Sequence, residues 1–191
     1  MQLWRLTLQT TFCLRSPPLI KLKSLLFLSL IVWAGPLFGG SAQASEPHPM
    51  HWELPLLAEG DDTTQLRVED YQGKIVYVDF WASWCRPCIK SMPFLNALRD
   101  EFKSRGFEVL AVNVDQNKAD ALSFLQKHPV NYPVAHDNSS QLLKHLNVVG
   151  LPSAFLLDAD GVPTLVHAGF KESDKAYLRA MIDRALAING N

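Results

Sequence analysis

The chain has 191 residues, of which 48% are hydrophobic and 19% are charged, and its formal net charge is −1. This composition predicts a globular protein with one domain of ordinary size and argues against a disordered chain. The net charge is slightly negative and the sequence shows no basic stripe, which argues against a nucleic-acid partner.

The first 44 residues differ from the rest of the chain. They hold four basic residues and no acidic one, followed by an apolar run over residues 25–38 and by Ser-Ala-Gln-Ala at residues 41–44. This order of parts is typical of a secretory signal peptide. We therefore expect a leader over residues 1–44, cleaved after Ala44, and a mature domain over residues 45–191. An uncleaved anchor helix is the alternative, and both interpretations predict a periplasmic protein, either soluble or tethered to the inner membrane.

Without the leader, the mature chain has 14 basic and 19 acidic residues, a net charge of −5, and two of the three cysteines, Cys85 and Cys88. A single close-spaced pair does not resemble the dense disulfide framework of small secreted domains. The pair therefore needs a local explanation.

The elements of the mature chain are predicted as follows. Residues 45–70 are rich in proline and turn-forming residues and are expected to be a loop. Residues 74–80 are a short apolar run typical of a buried strand. Apolar residues between Ile89 and Phe102 recur every three or four positions, which predicts a helix that Gly106 ends.

Further strands are predicted over residues 107–114, 132–137, 154–158 and 164–167, and further helices over residues 118–127, over 140–146 and after Ser173 as N-cap. The last two strands flank the turn at residues 159–161. Strands that alternate with helices, followed by a hairpin, predict an α/β fold with a central mixed sheet flanked by helices on both faces.

The cysteine pair lies in Trp-Cys-Arg-Pro-Cys, residues 84–88, between a predicted strand and a predicted helix. The positive end of the helix dipole and the charge of Arg86 favour the thiolate of Cys85, so Cys85 is the predicted nucleophile. Cys88, one turn later, is the predicted resolving thiol, which attacks the mixed disulfide. Pro87 restricts the backbone between them and suits an early helical position.

A metal half-site and a structural staple are the alternatives for this pair. A closed zinc site needs four ligands, and His48 and His51 near the mature N-terminus are typical of a solvated tail. No metal and no cofactor is therefore predicted. A disulfide that closes so short a loop removes little entropy from the unfolded chain, which argues against a staple.

The motif Val-Asp-Phe-Trp-Ala-Ser-Trp-Cys-Arg-Pro-Cys at residues 78–88, together with Gly-Leu-Pro at residues 150–152, resembles the thioredoxin-fold proteins, above all the exported TlpA/ResA-like thiol–disulfide oxidoreductases. The resemblance covers roughly residues 75–187. It implies a thioredoxin-like fold and a cis-proline at Pro152 opposite the two sulfurs. The predicted substrate-binding residues are Trp84, Arg86, Pro87, Leu151 and Pro152.

Asp79 resembles the buried carboxylate with which thioredoxin helps to deprotonate its resolving thiol. A carboxylate inside an apolar strand is costly unless it serves a purpose, so a catalytic role is predicted, with a partly solvated strand end as the alternative. Ser91 stands where ResA-like proteins carry a glutamate. This departure argues against carrying over apocytochrome c as substrate, so cytochrome c maturation is only one candidate process.

The predicted function is the reduction of disulfides in client proteins. The resemblance also implies a membrane thiol–electron transporter as the partner that restores the reduced form. Arg86 beside Cys85 leaves a disulfide oxidase or isomerase open, because a stabilised thiolate makes the reduced protein a good product. A peroxidase and a non-catalytic binding module that kept the fold are the remaining alternatives.

Overall fold

A five-stranded sheet organises the residues that the computed structural model describes, which are 48–58, 60 and 63–190. The strands are β1 (Glu53–Pro55), β2 (Gln65–Arg67), β3 (Ile75–Trp81), β4 (Phe107–Asn113), β5 (Val134–His136), β6 (Ser153–Leu157) and β7 (Pro163–Ala168). The helices are α1 (Arg86–Phe102), α2 (Lys118–Lys127), α3 (Gln141–His145) and α4 (Asp174–Asn189), with 3-10 turns at Val68–Tyr71 and Lys103–Arg105. The predicted leader lies outside the described residues.

The strand order in the main sheet is β5-β4-β3-β6-β7. Strands β3, β4 and β5 run parallel, because each connection between them contains a helix long enough to return the chain to the same end of the sheet. β6 runs antiparallel to β3, and β7 antiparallel to β6. The predicted α/β fold, with its mixed central sheet and flanking helices, is confirmed.

The core is centred on β3 and β4, in which every residue is buried. Strands covered on both faces read as continuous apolar runs, which explains why both were recognisable in the sequence. Helix α1 contributes a buried stripe at helical spacing. The 3-10 turn Lys103–Arg105 that follows α1 ends at Gly106, whose φ of 89° suits a residue without a side chain.

The prediction of a loop over residues 45–70 was wrong in part. β1 and β2 form an antiparallel pair, with Leu54 opposite Leu66. The segment after β1 lies along β5, because Leu57 N–H donates to the Val134 carbonyl and Leu56 forms a bridge with Ala135. It covers an edge of the main sheet that would otherwise expose unpaired backbone groups. Strands of three residues are too short for an alternating pattern to show.

The predicted N-cap of α4 also needs correction, since the Ser173 side chain makes no capping hydrogen bond. The Asp174 carboxylate instead accepts a hydrogen bond from Lys171 N–H at 2.7 Å. None of the helices in the described part of the chain combines the length and hydropathy that a membrane span requires.

Candidate active site

The two cysteines lie where β3 gives way to α1. Cys85 is the N-cap of α1 and Cys88 lies in its first turn, and their sulfurs are bonded at 2.04 Å. The turn is held by Cys85 N–H, which donates to the Ala82 carbonyl, and by Cys88 N–H, which donates to the Cys85 carbonyl. Cys88 is fully buried, whereas Cys85 keeps 4% of its surface exposed. Cys85 is therefore the more accessible member of the pair.

The peptide bond between Leu151 and Pro152 is cis. The turn that contains it is held by Ser153 Oγ, which donates to the Gly150 carbonyl at 2.7 Å. Ser153 is the first residue of β6 and pairs with Phe80 near the end of β3. The pairing brings the cis-proline turn to the same end of the sheet as the disulfide.

A groove of about 740 Å³ lies between the segment before Cys85 and the cis-proline turn. Trp84 is 69% exposed and Val149 is fully exposed, and both line the groove together with Leu151. The remaining lining residues are the apolar Val114, Leu143 and Val148 and the small or polar Ser83, Asp115, Gln116, Asn117, Asp120, Ser140 and Gly150. The groove thus offers both apolar and polar surface.

Arg86 and Pro87 are exposed in the first turn of α1 and are not among the residues that line the groove. Pro152 is buried directly before β6, and Pro93 lies inside α1. Of the predicted substrate-binding residues, the structure places Trp84 and Leu151 in the groove.

Asp79 lies in the middle of β3 and is 2% exposed. Its neighbours across the sheet are Ala111 on β4 and Ala154 on β6, which offer no polar side chain. Its Oδ2 atom is buried and has no hydrogen-bond partner. Burial raises the pKa of Asp79 to about 8, because an ionised carboxylate is poorly solvated there. Asp79 is thus a buried acid that can gain or lose a proton near physiological pH.

A second buried carboxylate, Asp115, was missed in the sequence. Its oxygens accept hydrogen bonds from the Ser83 backbone N–H at 2.9 Å, from Ser83 Oγ at 3.0 Å and from Asn113 Nδ2 at 2.8 Å. His136 Nε2 lies 2.8 Å from the Asp115 carbonyl. These contacts fix the segment that leads into Trp84 and Cys85. The sequence signal was the pair of polar residues at the carboxyl end of a predicted parallel strand, next to the end of β3.

Two other polar residues from the sequence analysis are also accounted for. Ser91 is buried, and its hydroxyl donates to the Cys88 carbonyl at 3.0 Å, so a neutral side chain lies next to the Cys88 backbone. His51 Nδ1 lies 3.0 Å from the Glu69 carboxylate in an exposed pair away from the groove.

A cysteine pair that opens a helix, set beside a cis-proline on a mixed five-stranded sheet, places the protein in the class of thioredoxin-fold thiol–disulfide oxidoreductases. The chain belongs to the Redoxin family, whose sequence profile matches residues 41–182. The resemblance to TlpA/ResA-like proteins is likewise confirmed.

Relatives and solved structures agree with this assignment. The chain is 31% identical over 146 residues to the thiol–disulfide oxidoreductase ResA of Bacillus cereus, an alignment that covers 75% of this chain and 84% of that protein. It is 35% identical over 117 residues to ResA of Bacillus thuringiensis, covering 60% and 68%. The crystal structure of a Chlorobium tepidum protein described as a thiol:disulfide interchange protein DsbE matches with a TM-score of 0.68 at 39% identity, covering 72% of this chain and 94% of that one.

Proposed function

We propose that the protein is an exported reductase that transfers two electrons from its Cys85–Cys88 dithiol to disulfides in client proteins. The observation that carries the proposal is the asymmetry of the pair: Cys85, which keeps some exposed surface, is bonded to a fully buried Cys88. A thiol that clients cannot reach is suited to resolve the mixed disulfide rather than to form it.

The proposed cycle begins when the Cys85 thiolate attacks one sulfur of a client disulfide and the other client sulfur leaves as a thiolate. The Cys88 thiol then gives its proton to the ionised Asp79 carboxylate and attacks Cys85 Sγ. The bond between Cys85 and the client breaks, and the second client sulfur leaves with the electron pair. The client disulfide has gained two electrons and the protein has become the disulfide form.

Electrostatics favour the reducing direction. A dithiol becomes a strong oxidant when its reduced form is stabilised. Here the pKa of Asp79 rises through burial, and no basic side chain among the described residues offsets that rise. Arg86 is exposed, so solvent and salt screen its charge. Neither Asp79 nor Arg86 therefore strongly stabilises a thiolate of the cysteine pair. This supports a protein that acts as a reductant rather than as an oxidant.

We further propose that clients bind as extended segments in the groove, where the Leu151 backbone pairs with the client and Trp84 and Val149 contact its apolar side chains. Residues 1–44 are the proposed secretory leader, which places the reaction in the periplasm. The proposed electron donor is a membrane thiol–electron transporter, which returns the disulfide form to the dithiol.

The reduction potential of the cysteine pair tests the direction of electron flow. We expect a value near that of thioredoxin, about −270 mV, when the pair is equilibrated with glutathione or a stronger dithiol buffer. A value near about −120 mV, as in a strong oxidant, would contradict the proposal and favour the oxidase alternative.

Trapping tests the roles of the two cysteines. Cys88→Ala should accumulate mixed disulfides with clients through Cys85, whereas Cys85→Ala should capture none and should not reduce insulin. In the Cys88→Ala background, Val149→Glu should capture fewer clients than the matched control Val166→Glu, since Val166 is also exposed but lies on β7. Equal capture by the two glutamate variants would exclude the groove as the client site.

A further inference from the structure

Tyr132, in the segment between α2 and β5, is a buried polar residue that the proposed cycle does not use. It is 6% exposed, and its hydroxyl is buried without a hydrogen-bond partner. A buried tyrosine hydroxyl in a folded protein ordinarily has a partner, so an unpaired one calls for a physical explanation.

The sheet register relates Tyr132 to Asp79 through Val134, which follows Tyr132 by two residues. Asp79 pairs with Ala111, Ala111 pairs with Val134, and Ala111 N–H donates to the Pro133 carbonyl at 3.0 Å. Residues paired in this way project their side chains from the same face of the sheet. On that face, only the methyl group of Ala111 therefore separates Asp79 from β5, the strand that Tyr132 leads into. Like the Tyr132 hydroxyl, the Oδ2 atom of Asp79 is buried without a hydrogen-bond partner.

The electrostatics agree with this placement. Burial raises the pKa of Tyr132, and the Asp79 carboxylate raises it further, so the two groups lie within electrostatic reach of each other. Tyr77 on β3 is coupled to Asp79 in the same way, and its pKa is also raised, chiefly by burial. The Tyr132 hydroxyl is among the buried polar atoms that lack a hydrogen-bond partner, and the Tyr77 hydroxyl is not.

The other strands beside Asp79 add little charge. Asp79 pairs with Ala111 on β4 and with Ala154 on β6. Ala154 in turn pairs with His167 on β7, whose Nε2 lies 3.5 Å from the Asp174 carboxylate. Among the described residues, Trp81 Nε1 on β3 and this His167 nitrogen are also buried without a hydrogen-bond partner. The Tyr132 hydroxyl is the uncommitted group of this kind in the segment that leads into β5.

We propose that Tyr132 is a positioning residue for Asp79, with a hydroxyl that donates a hydrogen bond to the ionised carboxylate, directly or through one water. A donor to the charged form favours that form. Asp79 can then accept the Cys88 proton at a lower pH than its burial alone would permit. This inference rests on the proposed function, in which Asp79 is the acceptor of that proton.

The test is the pH dependence of the resolving step, measured in single turnover as release of the second thiol from a disulfide-linked peptide. Tyr132→Phe should be about tenfold slower than wild type near pH 7 and should converge with it above about pH 10, because the midpoint rises by about one unit. Tyr177→Phe, which removes the hydroxyl of an exposed tyrosine on α4, is the matched control and should follow the wild-type profile.

A double variant separates positioning from a general effect on the fold. In an Asp79→Asn background, Tyr132→Phe should cause no further slowing, because the group on which it acts is gone. Slowing by the same factor at every pH, slowing that persists in the Asp79→Asn background, or a profile that superimposes on wild type would each overturn the inference.

A direct titration provides a second measurement that involves no client. The carboxyl carbon of Asp79, followed by NMR in the disulfide form, should titrate about one unit higher in Tyr132→Phe than in wild type. An unchanged midpoint would overturn the inference. Failure of the proposed function would look different, since wild type itself would not reduce the peptide through Cys85.

Discussion

The two buried carboxylates beside the active site, Asp79 inside β3 and Asp115 after β4, have nearly the same exposure and opposite surroundings. Asp79 is 2% exposed and has an oxygen without a partner, whereas Asp115 is 3% exposed and accepts bonds from both polar groups of Ser83 and from Asn113. Burial by itself does not distinguish a carboxylate that is held ionised by its partners from one that can exchange a proton near neutral pH. The hydrogen-bond partners do, because they decide whether the ionised form is solvated by the protein.

The largest expected effect is that of Asp79 on the pH dependence of the free energy of unfolding. The pKa of Asp79 is raised to about 8 from an ordinary value near 3.8, so the folded state binds this proton more tightly than the unfolded state. Stability is therefore lost as pH rises from about 4 to about 8. Asp79→Asn should match wild type in free energy of unfolding near pH 4 and exceed it by roughly 5 kcal/mol near pH 9. Urea unfolding at both pH values measures the difference, and a constant offset between the two proteins would contradict the role of burial.

Asp115→Ala is expected to have the next largest effect, and in the opposite direction. It leaves the half-buried donors of Ser83 and the buried amide of Asn113 without an acceptor, which should lower the free energy of unfolding by about 3 kcal/mol. Urea unfolding of this variant should be compared with Asp120→Ala, which removes an exposed carboxylate from α2. If the two variants lose equal stability, Asp115 does not hold the segment before Cys85.

Ser83→Ala should have the smallest effect. It removes one hydroxyl donor and leaves the backbone N–H bonded to Asp115, so a loss of about 1 kcal/mol is expected. Thermal unfolding against Ser173→Ala, which removes an exposed hydroxyl, provides the control. A loss as large as that of Asp115→Ala would mean that the hydroxyl, rather than the backbone, carries the interaction.

Most of the fold could be predicted because its signals are local. The buried strands β3 and β4 are continuous apolar runs, and helix α2 has the bounds that the sequence predicts, Lys118–Lys127. The short pair β1 and β2 could not be predicted in this way. Each strand has three residues, and their pairing depends on contacts with each other and with β5 that no local pattern records.

The order of the main-sheet strands and of the helices, the cysteine pair at the start of α1 and the proline beside the groove could all be read from the amino-acid sequence, since each is written in a short run of residues. Three features became visible only in the folded chain: Cys85 keeps a little exposed surface and Cys88 none, Asp115 holds the segment before them, and Tyr132 leads into the strand that lies across Ala111 from Asp79. The physical reason is that exposure, hydrogen bonding and the solvation of a buried charge depend on residues far apart in the chain.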